Sequence, residues 1–169
     1  MWLTEGPVQE LPGGGWRLPK RACVYQQDLP EAWNGALDSE VEAKVVLRSL
    51  APGARATAML WVGDATPKMS CVLYLQAATA GDAVSFGESM EPRYSLADSG
   101  KVHRYRVLTN HAAKTAQLFV DDAAQPALTT PLGAALQEFN LNRVLFGDPN
   151  VDWLGGESDL LSLRWKNGK

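Results

Sequence analysis

Acidic residues at alternate positions are the first place to look for chemistry in this chain. Asp38, Glu40 and Glu42 alternate along one short run; Glu88 and Glu91 lie close together, as do Glu157 and Asp159. A retaining glycosidase needs two carboxyl groups about 5–5.5 Å apart, one as nucleophile and one as acid/base. Residues two apart on a strand share a face, so Asp38, Glu40 and Glu42 could supply such a pair. The opposite face of that run, beginning at Val41, is apolar, and the acids read as the wet side of an ordinary strand. The other two pairs fall in or beside loops and read as solvated charge. No residue is assigned a catalytic role.

Other reactive groups are sparse. The only histidines are His103 and His111, and neither has a Ser or Cys neighbour in a known catalytic pattern. Gly13-Gly14-Gly15 precedes no strand-to-helix unit, so it is no phosphate loop. No Cys/His cluster has zinc-binding spacing. Cys23 and Cys71 are compatible with one disulfide or with two buried thiols, the thiol reading being slightly preferred.

Aromatic and planar polar side chains are more suggestive. Trp61 lies opposite Ala58, Leu60 and Val62 on its run, and Tyr74 lies opposite Cys71, Leu73 and Leu75. Arg104, Arg106 and Gln117 lie opposite the apolar face of theirs. Were these residues to share one sheet face, they would form a platform on which a sugar ring stacks while guanidinium groups hold its oxygens. Trp153, in the loop 148–156, is a further candidate at the rim. The plain alternative is that loops cover this second face.

What positions these residues is a set of short strands. The stretch 102–120 reads V-H-R-Y-R-V-L-T-N-H-A-A-K-T-A-Q-L-F-V, two alternating runs around a short polar connection, which predicts a β-hairpin with one buried face. Further strands are expected at 16–18, 23–27, 41–48, 57–63, 70–75, 83–86, 143–147 and 159–165. Residues 1–15 read as an approach segment, 29–37 as a loop or single helical turn and 87–101 as a long polar loop. The segment 125–128 reads as an edge piece, since Pro126 cannot donate to a ladder, and 132–139 is the only plausible helix. The pattern predicts an all-β sandwich or barrel, a single domain over 1–169. Tyr105, Leu118, Val120, Val45, Leu60 and Leu163 are its expected core.

The net charge is -3 without any block of Lys or Arg, which argues against a nucleic-acid partner. No apolar run approaches the ~18 residues of a membrane span. The sequence M-W-L-T-E-G-P lacks the features of a signal peptide.

H-R-Y-R-V, A-Q-L-F-V-D-D, R-V-L-F-G-D and G-G-E-S-D-L-L-S-L-R-W, with the earlier V-E-A-K-V-V-L, occur in an order that resembles concanavalin A-like lectin/glucanase domains. The likeness is nearest to laminin-G-like and sialidase-associated lectin modules and covers roughly 41–165. Asp122 stands where those families usually have Gly. The resemblance implies a two-sheet antiparallel jelly roll with one concave sheet. It also implies a glycan or another protein domain as partner, and an extracellular or cell-surface location. Glucanases of this superfamily carry a motif close to E-x-D-x-x-E, which this chain lacks. Related domains often hold calcium in loops, and Asp121, Asp148 and Asp152 are the metal ligands this suggests, with Asp122 and Asn150 as neighbouring oxygen donors. The resulting expectation is a non-catalytic carbohydrate-binding or interaction module. The alternatives are a glycoside hydrolase, or a fragment of one, and a structural accessory domain.

Overall fold

The structure is a computed structural model that describes residues 2–27, 38–63, 71–133 and 143–167. Among them every regular element is a strand, numbered here in chain order. Sheet I has the spatial order β1 (Leu3–Glu5), β4 (Cys23–Gln27), β13 (Arg143–Gly147), β6 (Ala58–Gly63), β7 (Cys71–Gln76), β8 (Ala83–Ser85), β9 (Arg93–Ser95). Sheet II has the order β12 (Leu128–Pro131), β11 (Thr115–Val120), β10 (Val102–Asn110), β5 (Ser39–Leu50), β14 (Gly156–Asn167), β3 (Trp16–Leu18), β2 (Gln9–Glu10). All pairings within the sheets are antiparallel.

Alternation decides what each strand buries. On β5, Val41, Ala43, Val45 and Leu47 are buried while Lys44 and Arg48 are exposed. On the β10–β11 hairpin, Tyr105 and Val107 turn inward with Ala116, Leu118 and Val120. Residues 111–114 close the hairpin: Asn110 Oδ1 accepts from the Ala113 amide, and Lys114 takes a left-handed φ of 52°. Sheet I answers with Val24, Leu60, Leu73, Val84 and Phe146, and the two inner faces make one core. All six residues expected in the core belong to it. Trp165, half-buried, packs against that core and donates from Nε1 to Gln26 Oε1 at 2.9 Å, linking β14 to β4 across the sheets. Gly147 lets β13 pass close to β4: with φ at 122°, a Cβ there would lie 2.4 Å from the Ala22 carbonyl oxygen.

Several expectations need correction. The segment 1–15 is no mere approach, because it supplies β1 to one sheet and β2 to the other. The expected loop 87–101 contains β9, an edge strand of sheet I. The edge piece expected at 125–128 is β12, at Leu128–Pro131, where an edge position tolerates Pro131. Leu132 and Gly133 are not helical; the rest of the expected helix, the segment 29–37 and the turn at 64–68 lie outside the described residues. Cys23 and Cys71 are buried thiols on opposite faces of sheet I, and no disulfide joins them.

Candidate functional site

The outer face of sheet II is a grid fixed by strand register. Gln117 pairs with Leu108, Leu108 with Glu40, and Glu40 with Lys166, so these residues form one row across β11, β10, β5 and β14. The next row is Phe119, Arg106, Glu42 and Arg164. The first row floors a cleft of about 540 Å³, walled at the start of β5 and the end of β10 by Asp38, Ser39, Thr109 and Asn110. A neighbouring cleft of about 300 Å³ shares Glu40 and Lys166 and adds Glu42 and Arg164. Together they make a groove in which polar and charged side chains flank two apolar residues, Leu108 and Trp165, and the larger part has the size of a small-ligand site.

The walls are braced from behind. Ser39 Oγ and Thr109 Oγ1 are 2.6 Å apart, and the Thr109 hydroxyl also accepts from the Ser39 amide. Asp38 Oδ1 accepts from the His111 amide at 2.9 Å. Lys166 Nζ lies 2.9 Å from Glu40 Oε2. Arg104 is drawn toward the sheet edge, where it pairs with Asp122 and donates to the Asp121 carbonyl, and it lies 3.9 Å from Glu42. Arg106 stacks on Phe119, its guanidinium carbon 4.9 Å from the ring centre.

The aromatics do not join this groove. Trp61 and Tyr74 lie on the outer face of sheet I, whereas Arg104, Arg106 and Gln117 lie on the outer face of sheet II. The single platform expected from alternation is therefore split between opposite sides of the sandwich. Trp61 is only 1% exposed and Tyr74 3%. They sit in a second cluster with Met59, Val72, Leu145 and Leu154, roofed in part by half-buried Val151 and Trp153. The Trp153 ring meets Tyr74 edge-on at 5.0 Å. Burial pushes the Tyr74 hydroxyl up to about 12, and the charge of Glu88 adds to the shift.

The roof is held by Asp148. Its Oδ1 accepts from the Asn150 and Val151 amides and its Oδ2 from the Arg21 amide. Backbone bonds from Arg55 to Trp153 and from Gly155 to Ala56 tie the far end of the loop. Of the expected calcium ligands, Asp148 thus accepts three backbone amides, two on Oδ1 and one on Oδ2. Asp121 serves its own turn: Oδ1 accepts from the Arg104 amide and Oδ2 lies 3.1 Å from His103 Nδ1. Asp152 is exposed. No group of three or more His, Cys, Asp or Glu suited to a metal occurs among the described residues. Asp121, Asp148 and Asp152 are thus not gathered into such a group among the described residues.

Among the paired acids, Asp38 and Glu40 line the larger cleft, and Glu40 and Glu42 the smaller one. Glu88 and Glu91 are exposed. Asp159 is buried between Arg17 and Arg48, with oxygens 2.8 and 2.6 Å from their nitrogens; the Arg17 hydrogen bond foremost, then Arg48, holds its carboxyl below the usual range despite burial. Sequence reasoning named Gln117 and the alternating acids but missed Leu108, Asn110, Arg164 and Lys166 as partners, because only cross-strand register assembles the rows.

No family model matches the chain, and neither does any curated protein. Solved structures do resemble it. Peanut lectin with a 9mer peptide superposes with a TM-score of 0.66 at 10% identity, covering 98% of this chain and 90% of the lectin. Lectin I-B4 from Griffonia simplicifolia gives 0.63 at 11% identity, covering 99% and 93%. A carbohydrate esterase from Shiga toxin-encoding bacteriophage phi24B gives 0.66 at 11%, covering 99% and 90%. Identities this low speak for the fold alone, and with the paired seven-stranded sheets they show an all-β sandwich with a concanavalin A-like fold.

Proposed function

We propose that the chain is a non-catalytic carbohydrate-binding module, laminin-G-like in organisation, whose ligand lies in the groove on sheet II. One observation carries this reading: the row Gln117–Leu108–Glu40–Lys166 floors an open cleft of about 540 Å³. An amide, a carboxylate and an ammonium group in one row offer donors and acceptors to sugar hydroxyls, and Leu108 offers an apolar patch to a ring face. A glycan array followed by titration calorimetry tests it. Gln117→Ala and Leu108→Asp should each weaken binding at least tenfold with the fold intact; retained affinity in both moves the ligand elsewhere or favours a structural accessory domain. The module's working place is outside the cell or on its surface, where such ligands are abundant.

A second reading, a glycoside hydrolase, draws on Glu40 and Glu42 sharing one groove. Incubation with laminarin, xylan and sialosides discriminates. Hydrolysis that disappears in Glu42→Gln would establish the enzyme, and no hydrolysis supports the binding module.

A further inference from the structure

We propose that Asp82 is a buried proton switch: when its carboxyl is protonated, Oδ2–H donates to His103 Nε2 across the space between the sheets and latches this end of the sandwich. The switch is independent of any ligand in the groove. Alternation brings the two side chains to one place. Asp82 lies two residues before Val84 and His103 two residues before Tyr105, and Val84 and Tyr105 both face the inner core. Asp82 comes from the turn between β7 and β8 of sheet I, and His103 from β10 of sheet II. Both are buried, as is Tyr105. Asp82 Oδ2, His103 Nε2 and the Tyr105 hydroxyl each lack a hydrogen-bond partner among the described residues. Buried polar atoms are rarely left so. These three are also electrostatic neighbours, since the charge of His103 acts on Asp82 and that of Asp82 on Tyr105.

Counting donors shows what is missing. Asp82 Oδ1 accepts from the Ala78 amide at 3.4 Å, and His103 Nδ1 lies 3.1 Å from Asp121 Oδ2. The Asp121 carboxylate assigns the imidazole proton to Nδ1, which leaves Nε2 a bare acceptor. With Asp82 ionised, Oδ2 is a second bare acceptor, and the Tyr105 O–H is one donor for two. One proton on Asp82 turns an acceptor into a donor and balances the set. Burial foremost pushes the Asp82 carboxyl up, against the Ala78 and Gly100 amides and His103, which pull it down. The other charges at this end are spent elsewhere: Arg104 on Asp122, Lys101 on Asp98 and Arg48 on Asp159. The inward neighbours Leu47, Leu96 and Val120 are apolar. Asp82 also anchors its surroundings, because its amide donates to the Asp98 carbonyl and its carbonyl accepts from the Leu96 amide. The same turn, with Ser99 and Gly100, borders a cleft of about 420 Å³. Ionisation leaves an orphaned charge inside, and loosening of the turn toward this cleft gives it water.

The test compares the whole chain with Asp82→Asn, which keeps the Oδ1 acceptor and puts a permanent neutral N–H donor in place of Oδ2. The folded Asp82 carboxyl titrates above its unfolded value, so its stabilising contribution is complete below about pH 4 and is lost as pH rises through the folded value. The urea midpoint of the variant should match or fall below that of the parent at pH 4 and exceed it at pH 8. Hydrogen-exchange protection of the Asp82 and Leu96 amides, corrected for intrinsic rates, should fall at least tenfold from pH 4 to pH 8 in the parent and stay level in the variant. With only two histidines in the chain, nitrogen NMR reads the contact directly: Asp82→Asn should move the His103 Nε2 resonance and leave His111 in place. A midpoint difference that does not change with pH, or an unmoved His103 resonance, overturns the switch. The parent's exchange profile needs no variant, and protection that stays level from pH 4 to pH 8 overturns it alone.

Discussion

Replacing Trp61 by alanine separates a ligand-stacking residue from a packing residue. Trp61 heads the fully buried side chains by volume and is 1% exposed, enclosed by Met59, Val72, Tyr74 and Leu145. An aromatic side chain of this kind buries roughly 200 Å², worth about 5 kcal/mol at ~25 cal/mol per Å². The neighbours close part of the gap, which brings the expected loss to roughly 3–5 kcal/mol. For a domain of this size each kcal/mol shifts Tm by about 2–4 °C, so a fall on the order of 10 °C should appear in a thermal melt. Urea unfolding, followed by circular dichroism, gives the free energy directly. Glycan affinity of the remaining folded protein should be unchanged, since the groove is on the other sheet. A loss under about 1 kcal/mol, coupled to loss of glycan binding, would refute the argument, because it would mean that the Trp61 ring is open to solvent and touches the ligand.

Three further outcomes follow from the same packing. Leu118→Ala, wholly buried between the sheets, should cost about 2–5 kcal/mol in urea titration; a cost below about 1 kcal/mol would place it on the wrong face. Asp159→Asn should cost roughly 1 kcal/mol at pH 7, since both arginines are more than a third exposed and solvent screens them. The folded Asp159 carboxyl titrates below its unfolded value, so its contribution is complete above about pH 4 and fades as pH drops through the folded value. Unfolding curves of parent and variant should therefore converge in acid, and a gap that widens there contradicts the assignment. Burial pushes the Cys71 thiol up to about 12, so Cys71 should resist iodoacetamide at pH 8 in the native protein and react in urea; rapid native labelling would show the core to be open.

Much of the sandwich was legible because period-two alternation encodes which side of a strand is wet. The runs at Trp16–Leu18, Cys23–Gln27 and Arg143–Gly147 have the bounds expected of them, and the hairpin faces are as read. The strands that went unread, β1, β2 and β9, are two or three residues long and largely exposed. Too short to alternate, they are strands only because an edge lies beside them. Trp61 and Tyr74 were correctly turned away from the inner core, but alternation names a side and not what lies over it. The unbroken apolar run C-V-L-Y-L on β7, buried at every position, was the available sign that sheet I is covered on both faces. Likewise Arg104, Arg106 and Gln117 were placed on an outer face, but nothing local says which sheet a strand joins. The groove depends on pairings such as Glu40 with Lys166, more than a hundred residues apart along the chain, and such separations leave no trace in a window of sequence.

That last pairing has a consequence for how the protein comes to exist. β14 is the last of the described strands in sequence, yet it lies inside sheet II between β5 and β3. Until it docks, β5 and β3 each present an unpaired edge, and the inner faces of both sheets lack Leu160 and Leu163. Closing so long a loop is entropically costly before any contact rewards it. Any folding intermediate in which β14 has not yet docked therefore carries two sticky strand margins, and such intermediates should be the species most prone to edge-to-edge association.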